Sequence, residues 1–68
     1  MSKDNDFCNN LKRLRLQYGF TQSELEIKSE LPLMVISQYE TGSRKPGLDN
    51  IKLLCKGLGC TASELLGI

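Results

Sequence analysis

Apolar residues recur at helical spacing along most of the chain. Phe7, Leu11, Leu14 and Tyr18 return every three or four positions from about Asp6, and the run stops at Gly19, a residue suited to the left-handed turn that closes a helix. The next segment, FTQSEL, carries a start signal. Thr21 can accept the backbone N–H of Glu24, Glu24 can reach back to the N–H of Thr21, and Phe20 and Leu25 stand at the two positions of a hydrophobic staple. This predicts a second helix from Gln22 to about Ser29 with Leu25 as its clearest core residue. The same device returns as CTASEL, with Thr61 and Glu64 as the box and Cys60 and Leu65 as the staple, and predicts a short last helix. TQSEL and TASEL share only this start chemistry, so they are not an internal repeat.

Two further helices lie between these signals. Leu48, Ile51, Leu54, Cys55 and Leu58 fall on one helical face, preceded by Lys45, Pro46 and Gly47 and followed by Gly59. Gly57 inside that run costs about 1 kcal/mol against alanine, a cost that a close helix contact would explain. The segment LPLMVISQYETG has Pro32 at its first turn, Ile36 and Tyr39 three apart and facing inward, and Gly42 as its stop. Five helices, short connections and no alternating strand pattern predict a compact all-α domain. Residues 1–5 are expected to form a flexible tail and residues 6–68 the folded unit.

Composition narrows the class. A chain of 68 residues is one small domain, and it buries only roughly 60% of the surface its unfolded form exposes. The 40% apolar and 25% charged residues are ordinary for a globular protein, no apolar run approaches a membrane span, and the polar start MSKDND is not a signal peptide. The expected location is the bacterial cytoplasm or nucleoid. Cys8, Cys55 and Cys60 form no C-x-x-C pair and there is no histidine, so reduced thiols are expected in place of a metal site. With no histidine base and no activated nucleophile, neither an enzyme nor a bound cofactor is expected.

The net charge of +1 is unevenly spread. Basic residues gather at Lys12, Arg13 and Arg15 and again at Arg44, Lys45, Lys52 and Lys56, whereas Thr21 to Glu40 holds four glutamates against Lys28. Folded onto one side, the two basic segments would flank a less basic centre, which suits phosphate contacts on either side of a groove. A solvated mixed surface is the alternative, and it is the preferred reading for Lys12 and Arg13.

Two short helices, Gln22 to Ser29 and Leu33 to Thr41, joined by a tight turn after a longer helix, have the layout of a helix-turn-helix. The ordered set Gly19, Thr21, Gln22, Leu25, Ile36, Ser37, Glu40, Gly42, Pro46, Leu48 and the closing LGCTASELL resembles the Cro and phage-repressor type of helix-turn-helix domain, the xenobiotic-response-element family. The resemblance spans about Phe7 to Gly67. It implies a lambda-repressor-like five-helix fold that binds double-stranded DNA as a symmetric homodimer on a two-fold operator, usually as a repressor or autoregulator of bacterial or phage origin. The length is compatible with a free-standing regulator of this kind.

Residue by residue, the resemblance gives backbone-phosphate contacts to Gln22 at the start of the second helix, to Thr41, Ser43, Arg44 and Lys45 after the third, and to Asn50 at the start of the fourth. Arg15 is expected to pair with Glu40 and tie the first helix to the third. The dimer surface would use Leu58, Cys60, Leu65, Leu66 and Ile68, with association completed only on DNA. Three positions depart from the family pattern. Glu26 stands where a small residue is usual, so it must lie at an edge or find a cation such as Lys28, Arg13 or Arg15. Glu30 replaces a turn glycine, which implies a left-handed non-glycine residue or a re-formed turn. Pro32 replaces a serine or threonine cap.

The base-facing positions carried over are Leu33, Met34, Ser37 and Gln38, with Val35 nearer the edge. Gln38 can pair with adenine through two hydrogen bonds, while Leu33 and Met34 can touch the C5-methyl group of thymine, so an operator with A·T pairs is expected. The alternative is that Leu33, Met34 and Val35 form an apolar protein-interaction surface, as in an antitoxin-like or regulatory partner.

Overall fold

Five α-helices make up the computed structural model, which describes residues 4–67, with side chains from Phe7 onward. They are α1 (Asp4–Gln17), α2 (Gln22–Ser29), α3 (Leu33–Thr41), α4 (Leu48–Leu58) and α5 (Ala62–Leu66). Both expected capping boxes form. Thr21 Oγ1 accepts the Glu24 N–H at 3.1 Å and Glu24 Oε1 accepts the Thr21 N–H at 2.8 Å, while Thr61 and Glu64 repeat the arrangement at 3.1 Å in each direction. These hydrogen bonds satisfy donors that a helix start otherwise leaves open. They hold the Glu24 carboxyl below its usual range, the Thr21 N–H being the main cause.

α1 starts at Asp4, earlier than the spacing predicts, and residues 1–3 of the expected tail lie outside the described residues. Its buried side is Cys8, Leu11, Leu14 and Arg15, with Phe7 packed at the edge. Tyr18 does not continue that stripe. It follows the last helical residue and is exposed, because the chain turns at Gly19 (φ +78°) and Phe20 becomes the next apolar side chain to reach the core.

The centre is built from Leu11, Leu14, Leu25, Leu31, Ile36, Tyr39, Leu54, Leu58 and Leu65. Burying a leucine or isoleucine side chain contributes about 1.5–3 kcal/mol, so these residues supply the main drive to fold. Tyr39 meets the Phe7 ring edge-on, with centroids 5.9 Å apart and planes at 78°, and its hydroxyl accepts a hydrogen bond from Asn50 Nδ2 at 2.7 Å. A phenol deep in a core needs such a partner.

α4 packs most extensively on α2, and Gly57 is where they meet. A Cβ there would stand 3.0 Å from the N, Cα and Cβ of Ser29, which explains the glycine in the middle of a helix. Ser29 is itself fully buried, and its hydroxyl donates to the Leu25 carbonyl at 2.7 Å and accepts the Leu31 N–H at 3.3 Å. Leu48 departs from its predicted inward place. At the first residue of α4 it lies beyond the edge of the core and is 68% exposed. α5 lies against α1 and α4, its single fully buried residue being Leu65. Cys8, Cys55 and Cys60 form no disulfide among the described residues. Among the described residues no helix is long and apolar enough to cross a membrane.

Candidate nucleic-acid interface

The turn between α2 and α3 begins with Glu30, whose backbone takes the left-handed conformation (φ 62°) and whose N–H bonds to the Glu26 carbonyl at 2.9 Å. A residue other than glycine can hold this conformation at modest cost when packing on both sides demands it. Here Leu31, immediately after, is buried in the core. Pro32 then occupies the cap position of α3 without a side-chain hydrogen bond. The missing cap comes from elsewhere: Glu26 Oε2 accepts the Leu33 N–H at 3.0 Å. Glu26 thus takes the first of its two expected places, a partly exposed edge, and serves there as a cap. A carboxylate beside the positive end of a helix is favourable by the same electrostatics that a cation would provide.

A second set of bonds fixes α3 against α1 and α2. Arg15 donates through Nε to Glu40 Oε2 at 2.6 Å and through Nη2 to Oε1 at 3.1 Å, a two-pronged pair whose side chains are only 10% and 4% exposed. Arg15 Nη1 also donates to the Phe20 carbonyl at 2.8 Å, and Gln22 Nε2 donates to Glu40 Oε1 at 3.2 Å. One carboxylate on α3 therefore gathers the end of α1 and the start of α2. The planar guanidinium matches the carboxylate in a way a lysine could not.

With Ile36 and Tyr39 buried and Glu40 committed to Arg15, α3 turns its other side outward. Met34 is 71% exposed, Leu33 lies just on the exposed side, and Ser37 and Gln38 are half-buried one turn further on. These four share a face because residues four apart on a helix stack along it. Leu33 also borders an open depression of about 500 Å³ lined by Arg15, Phe20, Gln22 and Ser23, which puts the starts of α2 and α3 on one surface.

Thr41, the last residue of α3, and Ser43, Arg44 and Lys45 just after it are all exposed. Thr41 and Ser43 share a hydroxyl–hydroxyl hydrogen bond of 2.9 Å, and the Ser43 N–H bonds to the Gln38 carbonyl at 3.0 Å. Arg44 Nη1 approaches Gln38 Oε1 at 3.4 Å. An amide oxygen accepts two hydrogen bonds, so Gln38 keeps its capacity to face a base.

Other expected site residues are differently engaged. The side-chain amide of Asn50 is turned toward Tyr39, and that of Gln22 toward Glu40. Each of these bonds uses one of the two N–H donors of its amide. Leu58 and Leu65 are buried in the core, 5% and 0% exposed. Cys60 and Leu66 remain half-buried at that end of the molecule, and Ile68 lies outside the described residues.

The sequence profile of the helix-turn-helix family matches residues 11–65, nearly all of the fold described above. The chain belongs to this family. As a helix-turn-helix protein of the Cro and phage-repressor type, it is 35% identical over 57 residues to an uncharacterized HTH-type transcriptional regulator, y4dJ, of Sinorhizobium fredii, covering 84% of this chain and 74% of that protein. Its structure is similar to that of the restriction-modification controller protein C.AhdI from Aeromonas hydrophila, with a TM-score of 0.87, 31% identity, and 91% and 94% of the two chains covered. The wild-type controller protein C.Esp1396I superposes with a TM-score of 0.86 at 30% identity, over 97% of this chain and 90% of that one.

Within this helix-turn-helix, two contacts carried no advance sign: Ser29 bridging into the turn, and Lys28 Nζ lying 5.0 Å from the centre of the Phe20 ring. A cation over an aromatic face contributes about 0.5–1 kcal/mol at an exposed site.

Proposed function

We propose that this protein is a sequence-specific, double-stranded-DNA-binding transcriptional regulator that acts as a homodimer on a two-fold operator, as a repressor or autoregulator. The observation that carries the reading is the outer face of α3. The Arg15–Glu40 pair and the Glu26 cap hold the helix rigidly, yet Leu33, Met34, Ser37 and Gln38 remain outside the core. α3 enters the major groove, with Gln38 addressing an adenine and Leu33 and Met34 the methyl groups of thymines. Exposed Thr41, Ser43, Arg44 and Lys45 meet the phosphates beside it, and the backbone at the starts of α2 and α4 does the same. Cys60 and Leu66 would face the dimer axis, and half-sites one helical turn of DNA apart, about 34 Å, suit such a two-fold regulator.

Selection from random duplexes tests this directly. The expected outcome is a palindromic site with A·T pairs under α3, and a strongly guanine-preferring consensus would refute the thymine-methyl reading. The exposure of Met34 favours one other reading, an apolar docking surface for a protein partner. Salt separates the two, because affinity for DNA falls steeply with ionic strength in proportion to the phosphates neutralised, whereas apolar docking is nearly indifferent to it.

A further inference from the structure

We infer that Glu26 is a specificity-determining positioning residue, which sets the start of the recognition helix from a neighbouring helix and so decides how Leu33 and Met34 present themselves to the groove. The inference rests on the DNA-binding reading above. Pro32 supplies no side-chain cap to α3. The first N–H of the helix is instead held by Glu26 Oε2 at 3.0 Å, across the turn. That turn contains Glu30 in a left-handed conformation, which glycine would adopt with less strain. The segment between α2 and α3 thus combines a strained backbone and a proline; Ser29 holds the Leu31 N–H and Lys56 reaches Glu30, but at the start of α3 itself the side-chain tether is Glu26. Leu33 is both the tethered residue and the first residue of the proposed reading face.

A cap within α3 would stabilise the helix without fixing its distance from α2. A cap reaching from α2 does both, since Glu26 is on a helix already anchored by Leu25 and Ser29 in the core. The charge has a second consequence. A carboxylate beside the groove opposes phosphate, so Glu26 adds nothing to binding of arbitrary DNA. Its contribution is confined to duplexes on which α3 is correctly seated, and that separates it from a residue that merely supports the fold.

The test uses the full chain, the duplex returned by selection, and a scrambled duplex of equal length, with Glu26→Ala, Glu26→Gln and Glu26→Ala/Pro32→Ser. Glu26→Ala is expected to lower the ratio of specific to non-specific affinity roughly three- to tenfold, the equivalent of losing one helix cap, without weakening the scrambled duplex. Glu26→Gln keeps an acceptor and retains most of the ratio. Serine at position 32 restores a cap at the helix start and recovers part of the loss. In the free protein, amide hydrogen exchange at Leu33 should accelerate in Glu26→Ala and much less in Glu26→Gln, a readout that needs no DNA. An unchanged specificity ratio in Glu26→Ala overturns the inference, as does equal weakening on both duplexes or unchanged Leu33 exchange. Failure of the unaltered protein to bind any duplex overturns the DNA-binding reading itself, and this inference with it.

Discussion

Replacing Glu40 by alanine should be among the most damaging single changes to the fold. It removes the two charge-assisted hydrogen bonds that Arg15 makes at 2.6 and 3.1 Å and the one from Gln22 at 3.2 Å, leaving the guanidinium with only the Phe20 carbonyl from this network. Hydrogen bonds to charged groups contribute about 1.5–3 kcal/mol each, and breaking a buried pair by removing one partner costs about 3–5 kcal/mol. Arg15 borders the open depression beside α2, so water can reach the abandoned guanidinium and the loss should sit near the lower bound, about 3 kcal/mol. For a domain of this size that lowers Tm by roughly 12–24 °C. With no tryptophan in the chain, urea unfolding is best followed by far-UV circular dichroism. Arg15→Met/Glu40→Leu, which removes both charges, should fall within about 1–2 kcal/mol of the unaltered protein and be more stable than Glu40→Ala alone. A Glu40→Ala loss below about 1 kcal/mol, or a double variant equal to the sum of its singles, would mean that the pair behaves as a solvated surface contact, and the reasoning would fail.

Gly57→Ala pits helix propensity, worth about 1 kcal/mol in favour of alanine, against about 1–3 kcal/mol of overpacking on the Ser29 backbone. Its Tm should fall, and a rise would show that α2 and α4 separate easily. Burial, reinforced by the adjacent Cys55, pushes the Cys60 thiol from 9.0 up to about 11. The folded state therefore favours its protonated form, so this contribution to stability is full below pH 9 and is lost as pH rises toward 11. Mass-spectrometric mapping should find that iodoacetamide labels Cys60 slowly at pH 8 to 9 in the folded protein and at an ordinary thiol rate in urea. Rapid labelling of the folded protein would contradict this. On DNA, Gln38→Ala should relax discrimination at one base pair by about 1–3 kcal/mol, whereas Lys45→Ala should weaken all duplexes alike and reduce the salt slope by about 1. Competition titrations with single-base operator variants at two salt concentrations read both effects.

Much of the fold is legible in the amino-acid sequence because its punctuation is local. A capping box acts over three residues, so Thr21 with Glu24 and Thr61 with Glu64 announce α2 and α5 in the string itself. Gly19, Gly42 and Gly59 mark helix ends in the same way, each with positive φ. Periodicity found Ile36 and Tyr39 but misplaced Tyr18 and Leu48, which occupy correct angular positions yet lie past the end of the packed face. The Arg15–Glu40 pair was expected only through the family resemblance, since nothing local links residues 25 apart.

The amino-acid sequence by itself determined where α2 to α5 begin and end, the all-α class, and which face of α3 turns inward, because these depend on interactions within one or two helical turns. Tertiary structure alone decided how individual polar side chains are employed. Glu26 caps α3 from 7 residues away, Asn50 is claimed by Tyr39 over 11, and Gln22 by Glu40 over 18. It also divided the C-terminal leucines, enclosing Leu58 and Leu65 in the core and leaving Leu66 half-buried. The physical reason is that a hydrogen bond or a buried contact between distant positions exists only once the helices have docked, and no local pattern encodes the distance at which they will meet.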